Sequence, residues 1–154
     1  MPGVDRIALV FEPPGPPPAP VLDMAIELGR GLGAEVLVEC AVEWHPRYGG
    51  PAPGPAERAV AEVVDRLRAR GVAARGQVAR VLAGDGPRAL AGDVAEFGAG
   101  LLIVDERRIP AVLRALGLGL AGRLSRRSRV PVLPLPGRGR PRRPHAGPAV
   151  RVVR

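Results

Sequence analysis

The sequence predicts an α/β fold: a single open, five-stranded parallel sheet with helices on both faces. Three observations carry that reading. Short aliphatic runs alternate with helical stretches in the order β-α-β-α-β-α-β-α-β, which argues for parallel strands joined by right-handed crossovers. One run, Leu101-Leu102-Ile103-Val104, has no polar position, so its strand must be covered on both sides. It then stops abruptly at Asp105-Glu106-Arg107-Arg108. Open parallel sheets bind ligands just past such carboxyl ends, where the strand order reverses.

Each element has a local reason. Ile7 to Phe11 is an aliphatic run that reads as the first strand, and it ends at Glu12 in a proline-rich stretch reaching Pro20. Those prolines lack backbone donors and hold an extended path. Val21 to Leu32 spaces its apolar residues as a helix does, and Gly31 and Gly33 end it. Glu35 to Val42 is the second strand, followed by a loop from Glu43 to Gly54 that carries Trp44, His45, Arg47 and Tyr48. The next helix starts at Pro55 and runs to about Arg70, with Val60, Val63, Val64 and Leu67 on one face and a Glu62–Arg66 pair on another. Ala73 to Leu82 is a third strand that Gly76 should interrupt.

Asp85-Gly86-Pro87 marks a helix start, Leu90, Val94 and Phe97 form its buried face, and Gly98 closes it before the fourth strand. From Ile109 the apolar spacing is helical again, with glycines at 117, 119 and 122. This predicts a short helix to Leu116, a break over Gly117 to Gly119, and a second helix to about Ser128. Val130 to Leu135 is the last strand, confined to an edge by its prolines. The first and fourth strands should flank the switch point. Residues 1–136 form this one domain. Residues 137–154 are rich in Arg, Pro and Gly and read as a basic, disordered tail.

Composition narrows the chemistry. The chain has 154 residues, and its 46% hydrophobic share with only 3% aromatics implies a core of Val, Leu, Ile and Ala. No apolar run approaches the roughly 20 residues that span a bilayer, and no signal-peptide pattern opens the chain, so a cytoplasmic protein without membrane insertion is expected. All 23 basic residues are Arg, and there is no Lys, Thr or Asn. That removes the P-loop lysine and Schiff-base chemistry. With two His, two Ser and one Cys, a metal site, disulfide or catalytic triad has little to work with. Cys40 should lie mid-strand and buried. Six of the arginines and none of the 15 acids follow Pro136, so most of the net charge of +8 belongs to the tail.

Four stretches together resemble the universal stress protein family: Arg6-Ile7-Ala8-Leu9-Val10-Phe11-Glu12, Gly33-Ala34-Glu35-Val36-Leu37-Val38-Glu39-Cys40-Ala41-Val42, Gly84-Asp85-Gly86-Pro87-Arg88-Ala89-Leu90, and Gly100-Leu101-Leu102-Ile103-Val104 with Arg129-Val130-Pro131-Val132-Leu133 after it. The resemblance implies a Rossmann-like sheet of order 3-2-1-4-5, akin to the adenine nucleotide alpha hydrolases. It also implies a homodimer that often pairs its last strand, where Pro134 removes a donor. Some members bind ATP through a motif of Gly, two residues, Gly, nine residues, Gly, then Ser or Thr. Here Asp105 and Arg108 stand at the first two glycine positions, and Gly119 fits the third only with one residue deleted. Leu120 then replaces the hydroxyl. Such a pocket would be lined by Glu12, Val42, Arg107, Arg108, Gly117 and Gly119.

The expectation is therefore a non-catalytic stress-response or regulatory domain, acting as a dimer or scaffold for a protein partner, with ATP binding lost and no other cofactor or metal. One alternative is an adenine-nucleotide sensor in which Arg107 and Arg108 replace backbone amides as phosphate partners. Another is polyanion binding through Arg138, Arg140, Arg142 and Arg143, although no aromatic residue lies among them for base stacking.

Overall fold

The computed structural model describes residues 3–13, 15–106, 112 and 115–135. The elements are β1 (Arg6–Val10), α1 (Ala19–Leu32), β2 (Glu35–Trp44), α2 (Gly54–Ala69), β3 (Ala74–Leu82), α3 (Gly86–Phe97), β4 (Leu101–Asp105), α4 (Leu120–Arg127) and β5 (Val132–Leu135). The strands form one parallel sheet in the order β3-β2-β1-β4-β5. The order reverses between β1 and β4, as expected. The basic tail, Arg107, Arg108 and most of the helix expected after Ile109 lie outside the described residues.

Local chemistry explains most boundaries. Proline is tolerated in a helix's first turn, so α1 begins at Ala19, two residues earlier than the sequence suggests. Its end is fixed by Gly33, whose φ of +62° only glycine adopts without strain. Gly98, at φ +75°, does the same for α3.

Two strands differ from expectation. β2 continues through Glu43 and Trp44, because both pair with β3 at Val81 and Leu82. β3 is not interrupted at Gly76. There the missing side chain lets α2 approach, since a Cβ would run into Val60 and Val64. Pro134 is accommodated because β5 is an edge strand.

The sheet has a core on each face. Alternation along the strands sends Ile7, Leu9, Val36, Val38, Cys40 and Ile103 toward α1 and α2, where Val21, Ala25, Val63 and Leu67 meet them. It sends Ala8, Val10, Leu37, Leu102 and Val104 toward α3 and α4, against Leu90, Val94 and Leu124. All strands are parallel, so their carboxyl ends share one edge of the sheet, and the loops there build the site.

Candidate functional site

A cavity of about 420 Å³ opens at that edge. Phe11, Glu12 and Pro13 enter it from the end of β1, and Ala41 and Glu43 from β2. Gly86, Pro87 and Leu90 of α3 form one wall. Leu118, Leu120 and Arg123, leading into and along α4, form another. Pro51 closes the rim. The charged residues lining it are Glu12, Glu43 and Arg123.

Two helices begin beside this cavity, and neither caps itself: no side-chain bond comes from Asp85 before α3 or from Gly119 before α4. The first amides of a helix have no partner within it and attract anions. Here strand-borne carboxylates take both positions. Glu43 Oε1 accepts the Gly86 N–H at 2.9 Å. Glu106 Oε1, from the residue just after β4, accepts the Ala121 N–H at 3.1 Å, and Glu106 is only 9% exposed. At the start of α4, a carboxylate therefore already accepts a helix amide that would otherwise attract an anion.

The residues expected to line a nucleotide pocket are distributed unevenly. Glu12 lines the cavity. The Val42 side chain is buried in the core on the opposite face, and its neighbours Ala41 and Glu43 reach the cavity instead. Gly119 is the residue before α4. Gly117, at φ +68°, accepts a bond from Arg126 Nη1 at 2.9 Å through its carbonyl. Leu118 and Leu120, the residues that alternate with these glycines, project into the cavity. Asp105 is fully buried at the end of β4.

Sequence reasoning did not single out Glu43, Glu106 or Arg123. A usable signal existed for the two acids. In each case an acid stands at the carboxyl end of a strand, Glu43 in β2 and Glu106 just after β4.

A second polar cluster lies deeper, under the middle of α3. Glu39, in mid-β2, is wholly buried, and its Oε1 accepts a bond from Gln77 Nε2 at 3.0 Å. Burial above all, and then the neighbouring Asp93 carboxyl, push the Glu39 pKa up to about 9, while the Gln77 bond pulls it down. Cys40 is equally buried. Burial first, and the Glu39 charge second, push its thiol up to about 12, so it behaves as a small apolar side chain.

Nucleophile-and-base arrangements are lacking among the described residues. His45 Nδ1 accepts the Arg47 N–H, and the Ser128 hydroxyl accepts the Val130 N–H. No group of His, Cys, Asp and Glu among the described residues could hold a metal ion, and none of the described helices is long and apolar enough to cross a membrane.

Solved structures place the architecture. A universal stress protein crystallised with cAMP is similar over 88% of this chain and 99% of its own, with a TM-score of 0.62 and 22% identity. One from Archaeoglobus fulgidus in complex with dAMP matches over 83% of this chain and 96% of its own, at TM-score 0.62 and 16% identity. A third, from Burkholderia pseudomallei, covers 84% and 95%, at TM-score 0.60 and 24% identity. No protein-family model matches the sequence, and no curated protein is similar to it. The fold is that of the universal stress proteins, with the Rossmann-like sheet order the resemblance implies.

Proposed function

We propose that this chain is a non-catalytic regulatory domain of the universal stress protein fold. It acts as a homodimer or scaffold, and its pocket takes up no nucleoside triphosphate. One observation carries the reading: the Glu106 carboxylate on the Ala121 amide at the start of α4. A phosphate arriving there would have to displace a buried anion that is already hydrogen-bonded. Glu12 and Glu43 add negative charge to the same cavity. The scarcity of nucleophile-and-base pairs supports the non-catalytic part.

The test is calorimetry with ATP, ADP and AMP, beside mass spectrometry of whatever the denatured protein releases. The expected result is no heat with ATP and no released triphosphate. ATP hydrolysis that Glu12→Ala abolishes would overturn the reading. Sedimentation of the purified chain tests the dimer.

A second reading, a sensor of nucleotides with a single phosphate, is favoured by Arg123. Its guanidinium is exposed at the cavity, with no bond to another described residue, and it can pair with one phosphate outside the blocked helix start. Two of the similar structures were solved with such nucleotides, cAMP and dAMP. Heat with AMP or cAMP but not ATP, lost in Arg123→Ala, would select this reading.

A further inference from the structure

The acid cluster beneath α3 has a different logic from the cavity. Glu39 sits between Leu37 and Ala41 on the face that α3 covers, and no part of it reaches solvent. Gln77 holds its Oε1, and its Oε2 is buried without a donor among the described residues. The group within hydrogen-bonding reach is another acid, Asp93, two turns along α3 from Gly86. Two carboxylates repel each other, whereas a carboxyl and a carboxylate form a strong, charge-assisted hydrogen bond.

Among the described residues, no cation is bonded to Glu39 or Asp93. Glu39's partner on β1 is Val10, and α4 presents Ala121 and Leu124 to this face. A cleft of about 280 Å³ between β3 and α3 is lined by Arg75, Gln77, Asp93 and Glu96 among others. Arg75 is committed elsewhere: its guanidinium lies 4.7 Å from the centre of the Phe97 ring and 3.6 Å from Glu35. Arg6 is bound to the Phe97 carbonyl. On β2 itself, Cys40 faces the other side of the sheet and Glu43 is bound to Gly86.

We propose that Glu39 and Asp93 share a single proton, and that this proton latches the middle of α3 onto β2. The Glu39 O–H donates to the Asp93 carboxylate, and Gln77 satisfies the other Glu39 oxygen. Removing the proton sets two charges against each other, that of Glu39 fully buried and that of Asp93 at the edge of the cleft, and pushes α3 outward. The start of that helix carries Gly86 and Pro87, with Leu90 one turn on, and these form one wall of the cavity at the sheet edge. The width of the cavity is thereby linked to pH, whatever the cavity binds.

The sign follows from Glu39. Its folded-state pKa of about 9 lies above the ordinary value of 4.5, so the folded chain holds a proton that the unfolded chain gives up. The contribution to stability is complete below about 4.5 and is lost as pH rises toward 9. Within that window one extra bound proton raises the unfolding equilibrium constant up to about tenfold per pH unit.

Infrared spectroscopy of the full chain reads the proton directly. The expected result is the C=O band of a protonated carboxyl at pH 7, fading toward pH 9 and missing in Glu39→Gln. The glutamine amide can donate to Asp93 in place of the O–H, so this variant keeps the latch and loses the titration. Its unfolding constant should lack the wild-type dependence on pH, and its α3 amides should keep their exchange protection at pH 9, where wild-type protection falls. Asp93→Asn should move the Glu39 titration to lower pH. The proposal fails if wild type shows no protonated carboxyl at pH 7, if Glu39→Gln retains the wild-type pH dependence, or if Asp93→Asn leaves the titration in place. The wild-type spectrum decides alone should a variant not fold.

Discussion

The two faces of the sheet use the same strands and different chemistry. Toward α1 and α2, β1, β2 and β4 present Ile7, Leu9, Val36, Val38, Cys40 and Ile103, and the contact is made by burying apolar surface. Toward α3 and α4 the apolar positions of the strands are interrupted by acids. Glu39 and Glu43 then enter from β2, and Glu106 from the end of β4. Burial is strong and non-directional, so it holds α1 and α2 firmly without specifying fine position. Carboxylate bonds to named amides are weaker in net stability but directional, so they set where α3 and α4 begin. The cavity at the sheet edge takes its α3 and α4 walls from the second, directional face.

The sharpest challenge to that division is Leu9→Ala. Leu9 has no exposure and sits on the central strand of the apolar face. Truncating it should cost about 2–5 kcal/mol in urea unfolding. A loss no larger than that of Glu39→Gln at pH 6 would erase the distinction between the faces.

Next in size is Gly76→Ala. The new methyl group would press on Val60 and Val64, so α2 would have to lift from β3. Overpacking of this kind costs about 1–3 kcal/mol. Thermal unfolding checks it, and a neutral result would show that close approach is not what carries β3 through its glycine.

Glu106→Ala has a smaller cost and a larger functional meaning. Losing a helix-start carboxylate should cost about 1 kcal/mol. It should also uncover the Ala121 amide at the start of α4 and give the protein measurable affinity for ATP in calorimetry. Destabilisation without any gain in ATP binding would mean that Glu106 supports the helix and does not block the site. Glu43→Ala makes the parallel case at α3, with a similar cost and with exchange of the Gly86 amide as the readout.

These differences also show what the sequence could reveal. Alternation of elements, the all-aliphatic run at Leu101–Val104 and the helix-ending Gly33 and Gly98 are local signals, and they located the strands and helices. The strand order came from the family likeness, because local patterns do not say which strands pair. Gly76 was misleading for a tertiary reason: its weak strand propensity is offset by the packing of Val60 and Val64 from another element. The acids at the helix starts were hidden by distance along the chain, since Glu43 and Gly86 are 43 residues apart and Glu106 and Ala121 are 15 apart. Strand alternation could have separated Val42 from the cavity, as it shares a face with Val36, Val38 and Cys40.

The smallest effect is the most useful control. Glu62 and Arg66 form an i,i+4 pair on the outer surface of α2, at 2.6 Å with both side chains about half exposed. This acid, too, is hydrogen-bonded, but water solvates it and salt screens it. Arg66→Ala should therefore cost only about 0.3–0.5 kcal/mol, and less in high salt. The Glu106 bond is buried and satisfies a helix amide, so the cost of Glu106→Ala should persist at the same salt concentration. If the two variants respond alike to salt, the acids of the α3 and α4 face are ordinary surface charges, and position rather than burial explains their bonds.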